Sequence, residues 1–310
     1  MSHNYSDDET KTRLNRKSLI LALTVVLMWS TVATAFKLTL SLISPLQMLW
    51  IAVATSFVIL FTATLLQNKF SLARQYMQES PGYFLILALL NPTLYYLILF
   101  AAYDMLPAQQ AQALNYTWAV VLSIMAVPFL GQRFTLKNLI SIVLAYSGVI
   151  VIATQGQLLA LDFKNPLGVM LGLGSSVFFA GYWILNTRKP RDAVVSLLLC
   201  FGLSLPILSA LMLWQNAFIL VPWQALAGGI YIGTFEMGFA FLLWMQAMRM
   251  TDNTAQLSNL VYLSPPLSLI LLATIADEPI MASTVIGLIL IIGGVLFQQI
   301  RLKPRGLKHR

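Results

Sequence analysis

Long apolar runs separated by short polar breaks make up most of the chain. The runs are roughly 17–25 residues long, which is the length that an α-helix needs to cross about 30 Å of hydrocarbon. Several breaks leave room only for a tight turn, so neighbouring helices should be antiparallel. The pattern predicts an all-α integral membrane protein with ten transmembrane helices, numbered here span 1 to span 10. The predicted spans cover residues 18–40, 46–67, 83–103, 108–127, 136–154, 166–187, 193–214, 223–248, 254–274 and 279–300.

Prolines stand at or just before the start of most predicted spans. Examples are Pro45, Pro81, Pro107, Pro166 and Pro279. A proline lacks the backbone N–H, and the first turn of a helix does not use that group, so proline is tolerated there. These positions therefore support the predicted boundaries.

The composition agrees with a chain that lies in a bilayer. Hydrophobic residues make up 58% of the 310 positions and charged residues only 10%, whereas soluble domains carry about 25% charged residues. Cys200 is the single cysteine, and the two histidines, His3 and His309, lie in the polar tails. This set of side chains excludes a disulfide framework and predicts neither a metal site nor a cofactor.

The distribution of positive charge tests the number of spans. An even number places both termini on one side, and loops rich in Lys and Arg stay in the cytoplasm. With ten spans, all 19 Lys and Arg residues except Lys37 and Lys164 fall on the side of the termini. The chain should therefore be a multi-pass protein of the cell inner (plasma) membrane with cytoplasmic termini. The net charge of +8 is too scattered for a nucleic-acid-binding patch.

The two halves of the chain are related by an internal repeat. The shift that places Gln110 on Gln256 also places Leu114 on Leu260 and Tyr116 on Tyr262. Each half holds five spans, and five is odd, so the second copy should be inverted relative to the first. Inverted repeats are typical of secondary transporters, whose substrate sites lie near the bilayer midplane. We expect a polar tail at 1–17, two repeats at 18–154 and 166–300, and a basic tail at 301–310.

Short motifs in both halves resemble those of a known family. They are Met28-Trp29-Ser30, Leu114-Asn115-Tyr116-Thr117-Trp118, Leu130-Gly131-Gln132-Arg133-Phe134-Thr135, Tyr146-Ser147-Gly148-Val149, Phe241-Leu242-Leu243-Trp244, Tyr262-Leu263-Ser264-Pro265, Asp277-Glu278-Pro279 and Gly293-Gly294-Val295. With the five-plus-five pattern, these residues resemble the drug/metabolite transporter superfamily, in the branch built of two EamA-type repeats. The resemblance implies a ten-helix carrier that works by alternating access and usually exports small metabolites.

The same resemblance points to two classes of substrate. Members of the superfamily export aromatic and other amino acids, and others carry cationic compounds such as choline. The stretch from Asn115 to Trp118 is similar to that of the aromatic amino acid exporters. In those exporters a proline usually follows the tryptophan, whereas Ala119 stands here.

Polar faces on spans 4 and 9 are candidates for the substrate site. Helical spacing places the members of each set on one face, and the repeat puts the two spans in equivalent positions. Their amide and phenol groups could bind a polar ligand or could instead form hydrogen bonds between helices. The residues are Gln112, Asn115 and Tyr116 in span 4, and Gln256, Asn259 and Tyr262 in span 9.

Deep aromatic side chains form a further candidate set. Buried Tyr and Trp need hydrogen-bond partners, and a cavity lined by rings suits either an aromatic side chain or an ammonium group. Packing between helices or contact with lipid is the alternative for each ring. The members, besides the tyrosines of spans 4 and 9, are Trp29, Tyr95, Trp118, Tyr182, Trp183 and Trp244.

Glu236 carries the sharpest functional signal because it lies in the middle of predicted span 8. A charge at the bilayer centre costs roughly 2.5–3.5 kcal/mol on insertion scales. The repeat aligns Asn91-Pro92 in span 3 with Met237-Gly238, beside this glutamate. Both pairs should loosen their helices. Each could serve as a hinge or could be an irregularity that is ordinary in membrane helices. Glu236 is then either protonated at rest, paired with a cationic ligand group, or a neutral acid bonded to amides of span 9.

These features predict a secondary transporter that exports small amphipathic metabolites, most simply amino acids, with protons as a candidate coupling ion. The alternative is a carrier of organic cations with Glu236 as the counter-ion. A membrane-embedded enzyme is a remote third reading, because the chain lacks a nucleophile–base set, a phosphate-binding loop and a pair of acids at one depth. We expect spans 1, 3, 4, 6, 8 and 9 to line the site, which would include Asn91 and Glu236.

Overall fold

A computed structural model describes residues 16–131, 135–157, 165–189, 191–250, 257 and 259–299. All regular structure in these ranges is helical. Eight helices there are long and apolar enough to cross a membrane, and two shorter apolar helices follow them. The predicted fold class, an all-α membrane protein, is confirmed.

The observed helices occupy the ten predicted positions. Spans 1 to 8 are Arg16–Leu40, Pro45–Leu66, Pro81–Met105, Ala108–Leu130, Leu136–Ala153, Pro166–Arg188, Ala193–Trp214 and Trp223–Arg249. Span 9 is described as a 3₁₀ turn, Asn259–Leu263, followed by an α-helix, Ser264–Ile275, and span 10 is Ala282–Gln299.

Polar residues in the breaks cap the helices that follow. Ser44 and Gln47 form a reciprocal capping box at the start of span 2. The side chain of Asn165 accepts a hydrogen bond from the N–H of Gly168 at 2.9 Å, and the Asp192 carboxylate accepts from Val194 at 3.1 Å. Caps of this kind satisfy N–H groups that have no partner within the helix. Short polar breaks are therefore enough to start new spans.

Two features between spans differ from the prediction. An interfacial helix, Phe70–Glu79, lies between spans 2 and 3 in a segment that the hydropathy pattern leaves unassigned. The ring of its Tyr76 stacks on Phe84 at 5.9 Å, so the helix packs against span 3. The predicted start of span 10 at residue 279 is wrong, because the helix begins at Ala282 and the preceding residues bind to span 4.

Four spans are interrupted partway along their length. Span 3 contains a π-helical turn, Leu89–Leu94, with a cis Asn91–Pro92 bond and a non-helical Asn91. Span 8 contains a second π-helical turn, Gly233–Gly238. Span 4 stops at Asn115 and resumes at Trp118, and the α-helix of span 9 begins at Ser264. The repeat equates span 3 with 8 and span 4 with 9, so the breaks occur in matching pairs.

Contacts between spans also obey the internal repeat. Span 5 packs on span 10, and span 2 on span 7; spans 3 and 4 pack on span 6, as spans 8 and 9 pack on span 1. Replacing each span by its partner in the other half leaves this set of contacts unchanged. The arrangement agrees with two five-helix units wrapped around a common centre.

Glycines bring spans 5 and 10 into close contact. A Cβ atom added to Gly148 would meet the carbonyl oxygen of Gly287, and one added to Gly294 would lie 2.8 Å from the carbonyl oxygen of Ser141. Gly148 and Gly294 are aligned by the repeat, as are Ser141 and Gly287. Small residues allow the backbones of membrane helices to approach. Both copies of the repeat therefore use glycine at the equivalent contact between spans 5 and 10.

Contacts among the loops define two sides of the molecule. Ser18 donates a hydrogen bond to the carbonyl of Ala247 at 2.8 Å. Nearby, Asp192 pairs with Lys69 at 2.7 Å and with Arg249 at 3.7 Å. We call this the basic side. The opposite side carries the connections between spans 3 and 4 and between spans 9 and 10.

Candidate functional site

A cavity of about 630 Å³ lies where the two halves meet. Spans 1, 3, 4, 6, 8 and 9 contribute most of its lining, as the sequence predicts, and span 10 adds Val295. All four interrupted spans place residues beside their breaks in this wall. Pockets for small molecules in proteins commonly measure 300–1,000 Å³, so the space suits a solute of modest size.

Most of the predicted site residues lie on the cavity wall. Those that line it are Trp29, Tyr95, Gln112, Asn115, Tyr116, Trp118, Trp183, Glu236, Trp244 and Tyr262. Asn91 and Tyr182 are buried and do not line the cavity. Gln256 falls outside the described residues, and only the backbone of Asn259 is described.

Glu236 projects into the cavity from the π-helical turn of span 8 and is partly exposed there. Its Oε1 accepts a hydrogen bond from the hydroxyl of Tyr96 at 3.0 Å. The indole N–H of Trp29 donates to the backbone carbonyl of Glu236 at 3.4 Å. Three spans thus meet at this acid, and the two bonds hold its carboxylate at a set place in the wall.

Tyr96 is missing from the predicted site. Its side chain is almost fully buried, and its ring packs against Tyr95 at 4.5 Å and Phe100 at 5.4 Å. Tyr95 and Tyr96 are adjacent in span 3, and both line the cavity. Two features of the sequence point to Tyr96. Glu236 is a buried acid that needs a hydrogen-bond donor, and Tyr96 offers a phenol on span 3, which the repeat equates with span 8.

A second polar chain crosses the other part of the wall. The hydroxyl of Tyr95 donates to Asn115 Oδ1 at 3.2 Å, and Asn115 Nδ2 donates to the hydroxyl of Ser175 at 3.0 Å. Ser175 donates onward to the carbonyl of Gly172 at 2.7 Å. The side chain of Asn115 therefore joins spans 3, 4 and 6 while it also lines the cavity.

Aromatic rings form two groups on the cavity wall. In the first, Trp29 lies 5.3 Å from Trp244 and 6.0 Å from Phe241, centroid to centroid. In the second, Phe179 stacks on Tyr95 at 4.5 Å and meets Trp118 edge-on at 5.2 Å. Offset and edge-to-face pairs of this kind are favourable, and they keep ring surfaces at the cavity. Phe179 and Phe241 are lining residues that the predicted site lacks.

Serines from spans 2 and 7 bond to carbonyls of the π-helical spans. Ser56 donates to the carbonyl of Gly233 at 2.8 Å, and Ser204 donates to the carbonyl of Ala88 at 3.1 Å. The Thr93 hydroxyl lies 2.7 Å from that of Ser204. Backbone groups released by a break need internal partners in a membrane. The two breaks are therefore stabilised by equivalent neighbours.

The cavity extends toward the basic side. Its wall there includes Leu130, Thr187 and Met248, which lie at the ends of spans 4, 6 and 8, and Thr187 is exposed. At the other end, Phe36 packs against Phe100 at 4.7 Å and Tyr103 at 5.1 Å. These three rings are buried, so they close the cavity toward the opposite side.

A carboxylate reinforces this closure. Glu278, from the connection between spans 9 and 10, accepts hydrogen bonds from the N–H groups of Ala108 and Gln109 at 3.0 Å each. The Gln109 side chain donates to the carbonyl of Pro279 at 2.7 Å and accepts from the N–H of Met281 at 3.0 Å. We call this set the Glu278 clasp. An anion at a helix N-terminus is favourable, and here the anion belongs to the other half of the molecule.

The charge of the cavity wall is one-sided. Over the described part of the chain, Glu236 is the charged residue in the lining, and neither Lys nor Arg contributes to it. Hydroxyl, amide and indole groups supply the remaining polarity. The wall thus offers one carboxylate, several hydrogen-bonding groups and large ring surfaces.

Comparisons with known proteins agree with this architecture. The model of the EamA-like transporter family matches residues 16–154 and again residues 166–298. A protein of Bacillus subtilis (strain 168), "Uncharacterized transporter YvbV", is 25% identical over 227 residues, which cover 71% of this chain and 72% of that protein. One crystal structure superposes with a TM-score of 0.62 at 19% identity, over 91% of this chain and 96% of that chain, and shares the fold. The chain therefore belongs to the EamA-like transporter family and is a multi-pass membrane transporter with a small-molecule substrate.

Proposed function

We propose that this protein is a secondary active transporter of the cell inner membrane that exports small amphipathic metabolites from the cytoplasm. The observation that carries the proposal is the cavity between the two halves, which reaches the basic side and is closed toward the opposite side. A carrier must present its site to one compartment at a time, and this arrangement corresponds to one such state.

The direction of opening follows from the positive-inside rule. Lys69, Arg188, Arg191 and Arg249 lie around the basic side, and such loops stay in the cytoplasm. The described conformation is then open to the cytoplasm, with both termini in that compartment. An exporter loads its substrate in this conformation.

Alternating access would come from rocking of the repeats at 18–154 and 166–300 about the cavity. The family model matches each half separately, and the paired breaks in spans 3 and 8 and in spans 4 and 9 give both halves equivalent bends. Transporters often place such broken helices at the substrate site. Opening outward would separate Phe36 from Phe100 and release the Glu278 clasp.

The sequence favours amino acids and related amphipathic compounds as substrates. The polar chain of Tyr95, Asn115 and Ser175 offers hydrogen bonds to such molecules, and the rings suit an apolar or aromatic side chain. A specific observation favours the second class, organic cations. The described cavity wall holds one carboxylate and no base.

Counterflow in proteoliposomes tests the proposed function. The purified protein, reconstituted in liposomes, would be loaded in turn with unlabelled amino acids, amines and neutral metabolites, and uptake of labelled solute would be followed. We expect one chemical class to accelerate uptake over protein-free liposomes. Absence of counterflow for every solute, with correctly folded protein, would contradict export by alternating access.

A further inference from the structure

We infer that the transported solute is a small organic cation that lacks a carboxylate, and that its charge is balanced by Glu236 in exchange for a proton. Tyr96 acts as the positioning residue for this carboxylate. The inference rests on the proposed function and specifies the substrate class of the same cavity.

The charge balance of the wall carries the first step. A zwitterionic amino acid would bring one positive and one negative group into a space where the described lining offers only the Glu236 carboxylate. The sequence places no Lys or Arg near the middle of any predicted span. A substrate carboxylate would then be buried with hydrogen-bonding groups but without a cationic partner, which is costly for a charge. An ammonium group without that carboxylate has no such penalty.

The geometry of Glu236 carries the second step. Among the described side chains, Tyr96 donates the hydrogen bond that this carboxylate accepts, and it does so to Oε1. The side chain is partly exposed to the cavity, so acceptor capacity remains for a ligand. The hydrogen bond from Trp29 fixes the backbone at the same residue. The carboxylate is therefore held in place while one side of it faces the space.

Ring surfaces beside the acid carry the third step. Trp29 groups with Phe241 and Trp244 on the wall that also contains Glu236. Aromatic faces attract ammonium groups, with tryptophan the strongest, and the attraction increases when the cation is desolvated. A carboxylate combined with tryptophan faces recognises an amine or a quaternary ammonium better than it recognises a neutral solute.

The surroundings of Glu236 carry the fourth step, the exchange with a proton. Phenols of spans 3, 4 and 9 line the same cavity as this carboxylate, namely those of Tyr95, Tyr96, Tyr103, Tyr116 and Tyr262. Spans 1 and 2 and the rest of span 8 also pack against this turn. Span 2 has no titratable side chain, and those of span 1 lie at its ends. In span 8 the others are Tyr231, bonded to Thr31 at 2.6 Å, and Arg249 at the basic side.

No described cation therefore neutralises the carboxylate when the cavity holds no ligand. A proton on Glu236 removes the cost of a charge at this depth. A bound cation makes the ionised form favourable, and the proton then leaves through the cavity. One positive charge replaces another at the same group.

Binding measurements on the intact protein in lipid nanodiscs test the inference with three probes. Phenethylamine and phenylalanine differ by a carboxylate, and benzyltrimethylammonium carries a charge that does not depend on pH. We expect both cations to bind about tenfold or more tightly than phenylalanine. We also expect benzyltrimethylammonium to bind more tightly as the pH rises and to release a proton into a weakly buffered solution.

Variants assign the effect to the cavity. Glu236→Gln should lose about tenfold or more of the affinity for both cations and should abolish the proton release. Tyr96→Phe should shift the pH dependence while binding persists, which a merely structural role would not do. Glu79→Gln is the matched control, because it removes one carboxylate from the interfacial helix outside the cavity, and it should bind like the wild type.

Two results would overturn the inference. The first is that phenylalanine binds the wild type as tightly as phenethylamine, and this comparison needs no variant. The second is that the affinity for the cations is independent of pH. Either result together with counterflow of a zwitterion or a neutral solute would leave the proposed export intact. Absence of counterflow for every solute contradicts the export itself, so the two failures are distinguishable.

Discussion

Asp192 joins three parts of the basic side through one carboxylate. It accepts hydrogen bonds from the N–H groups of Val194 and Val195 at 3.1 and 3.2 Å, and so caps span 7. It also pairs with Lys69 at 2.7 Å and Arg249 at 3.7 Å. Partial burial raises the pKa of this carboxyl, but the bond from Lys69, the backbone cap and the two positive charges outweigh it, so the net pKa lies below its usual range.

The lowered pKa of Asp192 sets the sign of a pH dependence. The ionised carboxylate is favoured in the folded state, so its contribution to stability is present above the ordinary Asp pKa of about 4 and is lost as the pH falls through the lower folded value. Asp192→Ala removes cap and ion pairs and should cost about 1–2 kcal/mol at neutral pH. Asp192→Asn keeps capping ability and should cost less, since exposed ion pairs contribute about 0–1 kcal/mol.

Thermal unfolding in detergent between neutral and acidic pH checks this prediction. The difference between wild type and Asp192→Ala should shrink as the pH falls, because both proteins then lack the charge. A difference that stays constant down to acidic pH would show that the cap, and not the ionised pair, accounts for the stability.

Glu236 and its partner illustrate how far residue-level prediction reaches. A lone acid in the middle of an apolar span is visible in the sequence because an ionisable side chain at that depth is costly and therefore rare. Its donor, Tyr96, belongs to another span, and whether this phenol reaches the acid depends on how span 3 is turned in the fold. The π-helical turn that contains Pro92 precedes this tyrosine, so a regular helical period does not give the rotation of span 3 after this break.

At the scale of elements, helix ends and breaks decide what the spans do. The apolar runs predict each span as a continuous helix, and the structure interrupts four of them beside the cavity. Pro92 and Gly238 indicate that spans 3 and 8 are weakened. No such residue precedes the break after Asn115 in span 4. At that break span 4 packs on span 6, and Thr117 donates to Ser176 at 3.2 Å.

The Glu278 clasp predicts a link between one loop and the closed end of the cavity. Glu278→Ala removes two hydrogen bonds at the buried start of span 4 and should lower the free energy of unfolding by about 1–3 kcal/mol. Glu278→Gln keeps one acceptor oxygen and should lower it less. Loss of the clasp should also favour conformations in which the opposite side is open.

A cysteine reporter measures that opening. In a Cys200→Ala background, Gln112→Cys places a thiol in the cavity wall beyond the clasp. Adding Glu278→Ala should accelerate labelling of this thiol by an impermeant maleimide from the opposite side. Equal labelling rates with and without Glu278→Ala would contradict a gating role for the clasp.

At the scale of the whole molecule, the orientation in the membrane is the most direct expectation. In the Cys200→Ala background, Gln215→Cys lies after span 7 on the opposite side, and Gln78→Cys lies on the interfacial helix of the basic side. Both positions are exposed. We expect an impermeant maleimide added to whole cells to label Gln215→Cys, and to label Gln78→Cys only after the membrane is permeabilised. The reverse pattern would contradict cytoplasmic termini and an inward-open cavity.

The sequence by itself determined the membrane class, the positions of the spans, the isolated acid and the family. These properties follow from the local hydrophobicity of consecutive residues and from short motifs, which do not depend on distant contacts. The tertiary structure decided which faces of the spans meet. It placed Tyr96 against Glu236, left Asn91 and Tyr182 out of the cavity wall, and closed one end with Phe36 and the Glu278 clasp. Such contacts join residues far apart in the chain. They depend on how each span is rotated at its break, and the periodicity of a single helix does not give that rotation.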